Sequence, residues 1–310
     1  MHPPVVVSVG SINVDLVLLL DGPPKGTMEA AGDIRVAGGK AANVAVLAAR
    51  LGLASRLVGQ VGDDEDAGLA LAGPRRAGVD LQGVTVVGEP TGFSVVLVEP
   101  GGGKTIVRRP GANVVAAGEV RLDGDAHVVV VDLEVSRSYV DAAIDLARRR
   151  GAPLIVDPAP AAALDAGLLA AADVITPDHA EAATITGIAT DDRAGALAAA
   201  VELHDRGAAT AMVKLAQGGC AVASATVQAI IEPPPMVIVD TNGSGDAFAG
   251  AVAWARALGH GVLESAAAGV AAATIVGSGL GGQDPLPDVP TLRAVIERVG
   301  IDRMDPSASR

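Results

Sequence analysis

Short runs of apolar and β-branched residues alternate along most of the chain with longer segments of helical character. The runs predict buried strands at residues 5–9, 57–61, 128–132, 154–157, 174–176 and 211–215. The segments between them predict helices at residues 40–51, 65–77, 139–150, 179–186 and 194–206. Continuous apolar strands separated by helices are typical of a parallel sheet that is covered by helices on both faces. The pattern therefore predicts an α/β fold with a central, mainly parallel sheet.

Two parts of the chain interrupt this alternation with extended segments that have no helix between them. Residues 15–20 are expected to pair with 34–37, and residues 93–99 with 105–109. Such pairs suit a small antiparallel β lid over one edge of the sheet, and the exposed edge of this lid predicts a homodimer. We assign the large α/β domain, which would bind nucleotide and substrate, to residues 1–12, 38–90 and 111–310. We assign the small β lid to residues 13–37 and 91–110.

The composition excludes several functional classes. The chain of 310 residues is 50% hydrophobic, which is enough for a large core, and its net charge is −13. Nucleic acid and anionic membranes both require a basic surface, so neither is an expected partner. The single Cys220 rules out an internal disulfide and suits a reducing compartment. Because we find no signal peptide and no apolar run of membrane-spanning length, we expect a cytoplasmic protein.

Residues 240–246, Asp-Thr-Asn-Gly-Ser-Gly-Asp, carry the strongest chemical signal. They follow the apolar run 237–239, which predicts a strand, and they open an alanine-rich helix. Helix N-termini bind anions, because they present unsatisfied N–H groups and the positive end of the macrodipole. Gly243 and Gly245 allow an anion to approach the backbone closely. Asp246 is either a base beside a bound phosphate or an ordinary first-turn carboxylate, and the motif alone leaves both readings open.

Two other glycine-rich stretches resemble phosphate motifs but lack the required context. Gly103-Lys104-Thr105 ends like a P-loop, but Val98 stands where that motif needs glycine and a strand follows instead of a helix. Gly277, Gly279 and Gly282 have the spacing of a dinucleotide fingerprint, but they follow a helical run rather than a strand. We interpret the second stretch as a loop that closes one side of a ligand pocket.

Several polar side chains stand near predicted strand ends, where ligands bind in parallel sheets. Asn13 and Asp15 occupy alternate positions after the first strand, and Glu134 follows the strand at 128–132. Asn43 lies one turn inside a helix, where asparagine is unfavourable unless its amide binds something. Each residue alone has an ordinary explanation as a cap, turn or solvated charge. Together they favour a polyol site, because several hydroxyl groups need fixed donors and acceptors.

Eight short motifs along the chain resemble, in sequence and in order, those of the ribokinase-like (PfkB) carbohydrate kinase family. The resemblance covers essentially the whole chain and is strongest to the ribokinase branch. The motifs are Gly-Ser-Ile-Asn-Val-Asp at 10–15, Gly-Gly-Lys-Ala-Ala-Asn at 38–43, Val-Gly-Asp-Asp at 61–64, Gly-Ala-Asn at 111–113, Leu-Glu at 133–134, Asp-Pro-Ala-Pro at 157–160, Thr-Pro-Asp at 176–178 and the stretch 240–246. The resemblance implies a ribokinase-like α/β sheet with a small β lid. It also implies transfer of the γ-phosphoryl group of ATP to a hydroxymethyl group of a sugar, ribose or a related pentose.

The same resemblance implies roles for individual residues. Asp246 would be the catalytic base, and the backbone amides of Gly243, Ser244 and Gly245 would form an anion hole. The sugar would be bound by Asn13, Asp15, Gly39, Lys40, Asn43, Glu134 and Asp246. The nucleotide would be bound by Asp178, Glu181, Lys214, Gly243 and Gly245, with Glu181 reaching Mg²⁺ through water. A monovalent cation, expected to be potassium, would be bound by Asp240, Asn242, Gly277 and Gly282.

The chain departs from the family pattern at positions that bear on cofactors and specificity. Asp178 replaces the usual asparagine and adds negative charge near the phosphates, and Asp284-Pro285 disrupts the loop expected for potassium. Lys40 is as compatible with a surface salt bridge as with a contact to sugar or phosphate. These departures leave the acceptor and the ion open, but not the type of reaction.

Three other functions are alternatives to a sugar kinase. A nucleoside kinase on the same fold would need an apolar or aromatic wall for the base, and Phe93 is the only aromatic residue of the predicted lid. A non-catalytic sugar-binding protein is disfavoured because Asp246 and the glycines before it are present. A dinucleotide-dependent dehydrogenase is disfavoured because no fingerprint follows the first strand.

Overall fold

A computed structural model describes residues 2–100, 103–279 and 286–304. Within these ranges the strands are β1 (Val5–Val9), β2 (Asn13–Leu19), β3 (Gly32–Gly38), β4 (Ala54–Gly62), β5 (Asp80–Val87), β6 (Gly92–Val98), β7 (Lys104–Arg109), β8 (Val128–Asp132), β9 (Leu154–Asp157), β10 (Val174–Ile175), β11 (Thr210–Lys214), β12 (Cys220–Ser224), β13 (Gln228–Glu232) and β14 (Gly300–Arg303). The α-helices are α1 (Lys40–Arg50), α2 (Glu65–Ala70), α3 (Ala72–Arg76), α4 (Arg137–Arg150), α5 (Ala166–Ala171), α6 (His179–Thr186), α7 (Arg193–Asp205), α8 (Ser244–Ala257), α9 (Val262–Gly277) and α10 (Val289–Ile296).

The main sheet contains ten of these described strands, in the order β14-β13-β12-β11-β10-β9-β8-β1-β4-β5. Neighbouring strands are parallel from β11 to β5, which confirms the predicted α/β class. The strands β12, β13 and β14 add an antiparallel edge that the sequence pattern did not predict. Because no helix separates β12 from β13, this edge lacks the alternation by which the parallel strands were recognised.

Three strands and one helix have the predicted bounds: β1, β8, β9 and α6. The predicted helix at 65–77 is divided into α2 and α3, and Pro74 in the first turn of α3 has no N–H group to continue the ladder. The predicted strand at 237–239 is wrong. Val237 is 81% exposed, and the segment belongs to neither sheet, although the N–H group of Val239 donates to the carbonyl of Gly277 at 2.7 Å.

The lid is a four-stranded sheet in the order β3-β2-β6-β7. Its two hairpins are antiparallel, as expected, but β2 and β6 pair in parallel, so the sheet is mixed rather than fully antiparallel. The register places Asp15 opposite Ser94, and Ser94 opposite Arg108. Side chains at paired positions of neighbouring strands share one face of a sheet. These three residues therefore form one polar row across the lid.

Close packing of small residues fixes helix α8, which begins at the glycine-rich motif. Phe248 is 1% exposed and belongs to a cluster with residues of α1 and α9. A Cβ atom at Gly269 would lie 2.9 Å from the Phe248 ring, and one at Gly250 would lie 3.0 Å from Leu47. Glycine at these positions lets the three helices approach closely enough to hold the motif against the sheet. None of the described helices has both the length and the apolar character needed to cross a bilayer.

Candidate active site

A cavity of about 1080 Å³ lies between the lid, the ends of the parallel strands and the beginning of α8. It brings together most of the residues that the sequence predicted for the site. Those lining it are Asn13, Asp15, Gly39, Lys40, Asn43, Glu134, Asp178, Glu181, Lys214, Asn242, Gly243, Ser244, Gly245, Asp246 and Gly277. Asp240 is adjacent in sequence but does not line the cavity, and Gly282 lies outside the described residues.

Asp246 stands in the first turn of α8 with its carboxylate buried at the cavity wall. The side-chain amide of Asn43 donates to its Oδ2 atom at 2.6 Å, and Lys40 Nζ lies 3.6 Å from its Oδ1 atom. The contact from Asn43 accounts for an asparagine inside α1, which the sequence marked as unusual. Both partners come from α1, so this helix orients the carboxylate from across the cavity.

The N-terminus of α8 opens into the cavity at the residues where the sequence predicts an anion site. Gly243 has φ 74°, a left-handed conformation that favours glycine, and it turns the chain into the helix. The N–H group of Ser244 donates to the Thr241 carbonyl at 3.2 Å, so it is already engaged. The Ser244 hydroxyl is buried without a hydrogen-bond partner among the described residues. Lys214 Nζ lies 3.4 Å from where a Cβ atom would stand at Gly245, so a cation adjoins the helix start.

The lid and the first strand form the other end of the cavity. Asn113 donates to the Asn13 Oδ1 atom at 2.7 Å, which orients the Asn13 side chain. Arg108 of the lid forms an ion pair with Glu134, which follows β8. Burial raises the pKa of Asp15 to about 6, although a hydrogen bond with Ser94 opposes the shift. This end therefore offers carboxylate and amide groups that suit hydroxyl recognition.

Gly39 has a backbone role in this part of the site. Its φ is 97°, and a Cβ atom there would lie 2.5 Å from the Ser11 carbonyl oxygen. Only glycine fits this approach between the start of α1 and the loop after β1. The hydroxyl of Ser11 accepts from the N–H group of Lys40 at 3.0 Å, which ties the two segments together.

Asp132 and Asp157 are buried carboxylates next to cavity residues, and the sequence reasoning assigned neither of them a role; neither lines the cavity itself. They end the neighbouring parallel strands β8 and β9 in register with each other. Their position at the carboxyl ends of these strands was the available signal. Asp132 accepts from the N–H groups of Ser11 and Glu134, both at 2.9 Å. Burial and the nearby charge of Glu134 raise the pKa of Asp132 to about 8.

Asp178 and Glu181 form a capping box at the start of α6. The N–H group of each residue donates to the carboxylate of the other at 2.8 Å. One carboxylate oxygen of each side chain therefore already accepts a hydrogen bond within the helix start. Burial, followed by the charge of Asp157, raises the pKa of Glu181. No group of three or more potential metal ligands occurs among the described residues. Two carboxylates at the cavity still fit Mg²⁺, which keeps several waters and binds substrate phosphates.

Three of the four residues expected to bind potassium, Asp240, Asn242 and Gly277, lie within the described ranges. The Gly277 carbonyl accepts from the N–H groups of Val239 at 2.7 Å and Asp240 at 3.2 Å. A carbonyl with two hydrogen bonds has no lone pair left for a cation. Asp240 Oδ1 accepts from the N–H group of Asn242 at 2.8 Å. The remaining part of the expected loop, with Gly282 and Asp284-Pro285, lies outside the described residues, and the potassium requirement stays a prediction.

Comparison with known proteins links this geometry to one family. Residues 4–289 match the pfkB family carbohydrate kinase. The chain is 31% identical over 288 residues to a ribokinase of Haemophilus influenzae, covering 90% of this chain and 94% of that protein. It is 33% identical over 260 residues to a bifunctional ribokinase/ribose-5-phosphate isomerase A of Fructilactobacillus sanfranciscensis, and it spans 48% of that longer protein.

Solved structures show the same fold. The structure of Arabidopsis thaliana ribokinase complexed with ribose and ATP matches with a TM-score of 0.81 and 30% identity, covering 96% of this chain and 99% of that one. A nucleoside kinase of Burkholderia thailandensis in complex with inosine matches with a TM-score of 0.78 and 18% identity, covering 94% and 96%. The second likeness shows the shared fold alone.

Proposed function

Because the chain belongs to the pfkB family of carbohydrate kinases, we propose that it transfers the γ-phosphoryl group of ATP to a hydroxymethyl group of ribose or a related pentose. The relatives named ribokinase, and the Arabidopsis thaliana ribokinase with ribose and ATP, support this choice of substrates. The observation that carries the proposal is the position of Asp246. Its carboxylate stands at the opening of α8, beside Gly245, and is held by Asn43 and Lys40.

The proposed chemistry follows from this arrangement. Asp246 accepts the proton of the hydroxymethyl group while its oxygen bonds to the γ-phosphorus and the bond to the β-phosphate oxygen breaks. The first turn of α8 and the ammonium group of Lys214 stabilise the negative charge of the group in transfer. The chain therefore contributes position and electrostatic stabilisation, which dominate phosphoryl transfer.

The walls of the acceptor end favour a sugar over a nucleoside. The lid contributes Asn13, Asp15, Ser94, Val96, Ile106 and Arg108 to the cavity, and none of these is aromatic. Phe93, the aromatic residue expected to contact a base, does not line the cavity and instead lies 5.6 Å from the Arg109 guanidinium. At this end the cavity is also lined by the hydrogen-bonding side chains of Asn13, Asp15 and Glu134, which suit the hydroxyl groups of a polyol.

Asp178 and Glu181 are the proposed residues for Mg²⁺, acting through water from the start of α6. Bound Mg²⁺ would neutralise charge on the β- and γ-phosphate oxygens of ATP. Burial, followed by the charge of Asp157, raises the pKa of Glu181, and a cation bound beside it would favour the charged carboxylate. Potassium is proposed at Asp240 and Asn242, where the donor set among the described residues is incomplete.

We also propose a homodimer formed through the lid. The outward row Leu16, Val95 and Val107 is set by the register of three neighbouring strands, and Val107 is 60% exposed. Leu16 and Val95 are half-buried, and an apolar row that is partly exposed on a small sheet favours association with a second copy. The free thiol of Cys220 is buried and suits a reducing compartment, so we propose the cytoplasm as the location.

A coupled ADP-release assay tests the proposed function directly. Ribose, deoxyribose, fructose, adenosine and inosine are compared at equal concentration, each with Mg²⁺ and with or without potassium. We expect turnover with a pentose to exceed turnover with either nucleoside. Activity confined to nucleosides would contradict the proposed acceptor, and no ADP release with any of them would contradict the kinase assignment for this panel.

A further inference from the structure

Asp157 is a buried carboxylate to which the proposed reaction assigns no role. It ends β9 with 3% of its surface exposed, and neither carboxylate oxygen has a hydrogen-bond partner among the described residues. A buried carboxylate without hydrogen bonds is costly unless opposite charges compensate it. Its Oδ2 atom lies 4.0 Å from Lys40 Nζ and 3.9 Å from Lys214 Nζ. One carboxylate therefore stands between two ammonium groups of the active site.

The two lysines reach different parts of the transfer site from different elements. Lys40 begins α1 and lies 3.6 Å from the Asp246 carboxylate. Lys214 ends β11 and adjoins Gly245 at the start of α8. Two ammonium groups in one partly buried site repel each other, and an anion between them removes that cost. Asp157 is the group that both contact.

We propose that Asp157 is a positioning residue that holds Lys40 beside the base and Lys214 beside the anion hole. This inference rests on the proposed kinase function. Burial lowers the pKa of Lys40, but the charges of Asp157 and Asp246 outweigh that effect and raise the pKa well above its ordinary value. The ammonium group therefore stays charged throughout the physiological range. Without Asp157 both lysines lose their shared anchor, and Lys40 keeps only the 3.6 Å contact with Asp246 among its ion pairs with described residues.

A double-mutant cycle tests the inference. The variants are Asp157→Asn, Lys214→Met and the double variant, with Asp173→Asn as the matched control. Asp173 is an exposed carboxylate near the other end of β9 that accepts from the N–H group of Leu154 at 2.8 Å. We expect Asp157→Asn to lower kcat roughly ten- to a hundredfold. The double variant should lose clearly less kcat than the product of the two single effects, because residues that act together are not additive and only the contact with Lys40 is left to lose once Lys214 is replaced. The control should stay within about twofold of the wild type.

A crystal structure of Asp157→Asn provides a readout that does not depend on turnover. We expect at least one of the Lys40 and Lys214 ammonium groups to move away from residue 157. Unchanged lysine positions, an unchanged kcat or an additive cycle would each overturn the inference. An additive cycle with a higher Mg²⁺ requirement would make Asp157 a metal carboxylate instead.

The two proposals fail in distinguishable ways. If the wild-type protein phosphorylates no acceptor in the panel, the proposed function fails, while the lysine positions in the Asp157→Asn crystal still test the positioning role. If this variant does not fold, Asp157→Ser replaces it in the same cycle and the same structural comparison. Its smaller neutral side chain leaves the lysines without their shared anion.

Discussion

At the scale of single residues, Asp246 acquires its setting from a helix that is distant in sequence. Asn43 lies 203 positions away, yet its amide is the hydrogen-bond donor to Oδ2. The first-turn position of Asp246 would stabilise α8 in any case. Its burial, its cavity-facing location and its two partners from α1 are not required by that helix-stabilising role. They favour the reading in which the carboxylate acts on a substrate.

Asp246→Asn tests this reading. We expect kcat to fall by about 10²- to 10⁴-fold, because the amide cannot accept the hydroxyl proton. Binding of ATP and ribose, measured by isothermal titration calorimetry, should remain within a few fold of the wild type. Glu65→Gln is the matched control, since Glu65 is an exposed first-turn carboxylate of α2. Equal turnover in the wild type and Asp246→Asn would remove Asp246 from the base role.

The raised pKa of Asp15 predicts that the free energy of unfolding decreases as the pH rises. Its pKa is about 6 in the folded protein, because burial outweighs the hydrogen bond with Ser94, against 3.8 for the ordinary side chain. The folded state thus binds more protons than the unfolded state between about pH 4 and 6, and stability falls as pH rises through that window. Asp15→Asn removes this loss. After allowance for solvent screening, we expect the variant to gain about 2 kcal/mol relative to the wild type between pH 4 and 7.

Thermal or urea unfolding of both proteins across this pH range measures that gain. The free-energy difference should be small near pH 4 and should reach a plateau above pH 6. A free-energy difference that does not change with pH would contradict its assignment to the ionisation of Asp15. Ribose binding by the same variant should weaken, because the proposed hydroxyl acceptor is lost.

At the scale of elements, the start of α8 and the strands of the lid define the two ends of the cavity. The helix begins at Gly243 because a residue in the left-handed region reverses the chain there. The lid contributes a row of side chains whose order follows from strand register, with Asp15, Ser94 and Arg108 on one line. Backbone geometry therefore sets one end of the site, and pairing of distant strands sets the other.

The variant Gly243→Ala tests whether the bend at Gly243 is needed for phosphoryl transfer as well as for stability. We expect a loss of about 1–2 kcal/mol in stability, because alanine is strained at φ 74°. Gly259→Ala is the control, since Gly259 follows the other end of α8 with φ 82° and open space around a Cβ atom. Both variants should lose similar stability in urea unfolding, but only Gly243→Ala should lose kcat. Similar turnover in the two variants would contradict a role for this bend in phosphoryl transfer.

The ion pair between Arg108 and Glu134 links β7 of the lid to the loop after β8. Arg108→Gln should raise KM for the sugar several fold with a smaller change in kcat. The reason is that Glu134 loses the cation that holds it at the acceptor end. Arg109→Gln is the control, because Arg109 contacts the Phe93 ring outside the cavity. Initial-rate kinetics at saturating ATP measure KM for the sugar in both variants. An equal effect of the two substitutions on KM would contradict the assignment of Arg108 to holding Glu134 at the acceptor end.

At the scale of the whole molecule, three cationic side chains of an acidic protein line the same cavity. The net charge is −13, yet Lys40, Lys214 and Arg108 all line the space proposed for ATP and sugar. Local positive groups in a partly buried site interact with phosphate more strongly than distant surface charges, which solvent and salt screen. An acidic overall charge is therefore compatible with a nucleotide substrate.

The proposed lid dimer leads to a prediction about assembly. Val107→Glu should shift the protein towards monomer at micromolar concentration, because it places a charge in the outward apolar row of the lid. Val86→Glu is matched in exposure, at 61% against 60% for Val107, but it lies on the β5 edge of the main sheet. Analytical ultracentrifugation should show dissociation only for Val107→Glu. A monomeric wild-type protein would contradict the dimer.

The sequence was sufficient for the class of fold, and it also located the glycine-rich start of α8 at which we predict the anion site. Strands such as β1, β8 and β9 are continuous apolar runs, and their bounds were predicted because burial on both faces leaves a local signature. The motif at 240–246 was equally visible, since helix starts and left-handed turns depend on neighbouring residue types. The run 237–239 failed as a strand because apolar character alone does not supply a pairing partner.

Only the tertiary structure determined which side chains meet. The contact of Asn43 with Asp246, and the site that Asp157 shares with Lys40 and Lys214, join elements separated by long stretches of chain. Strand order and helix packing bring these groups together, and neither can be predicted from the local periodicity of the sequence. Burial then fixes their charge states and energetic cost, because desolvation depends on everything that surrounds a group in the folded molecule.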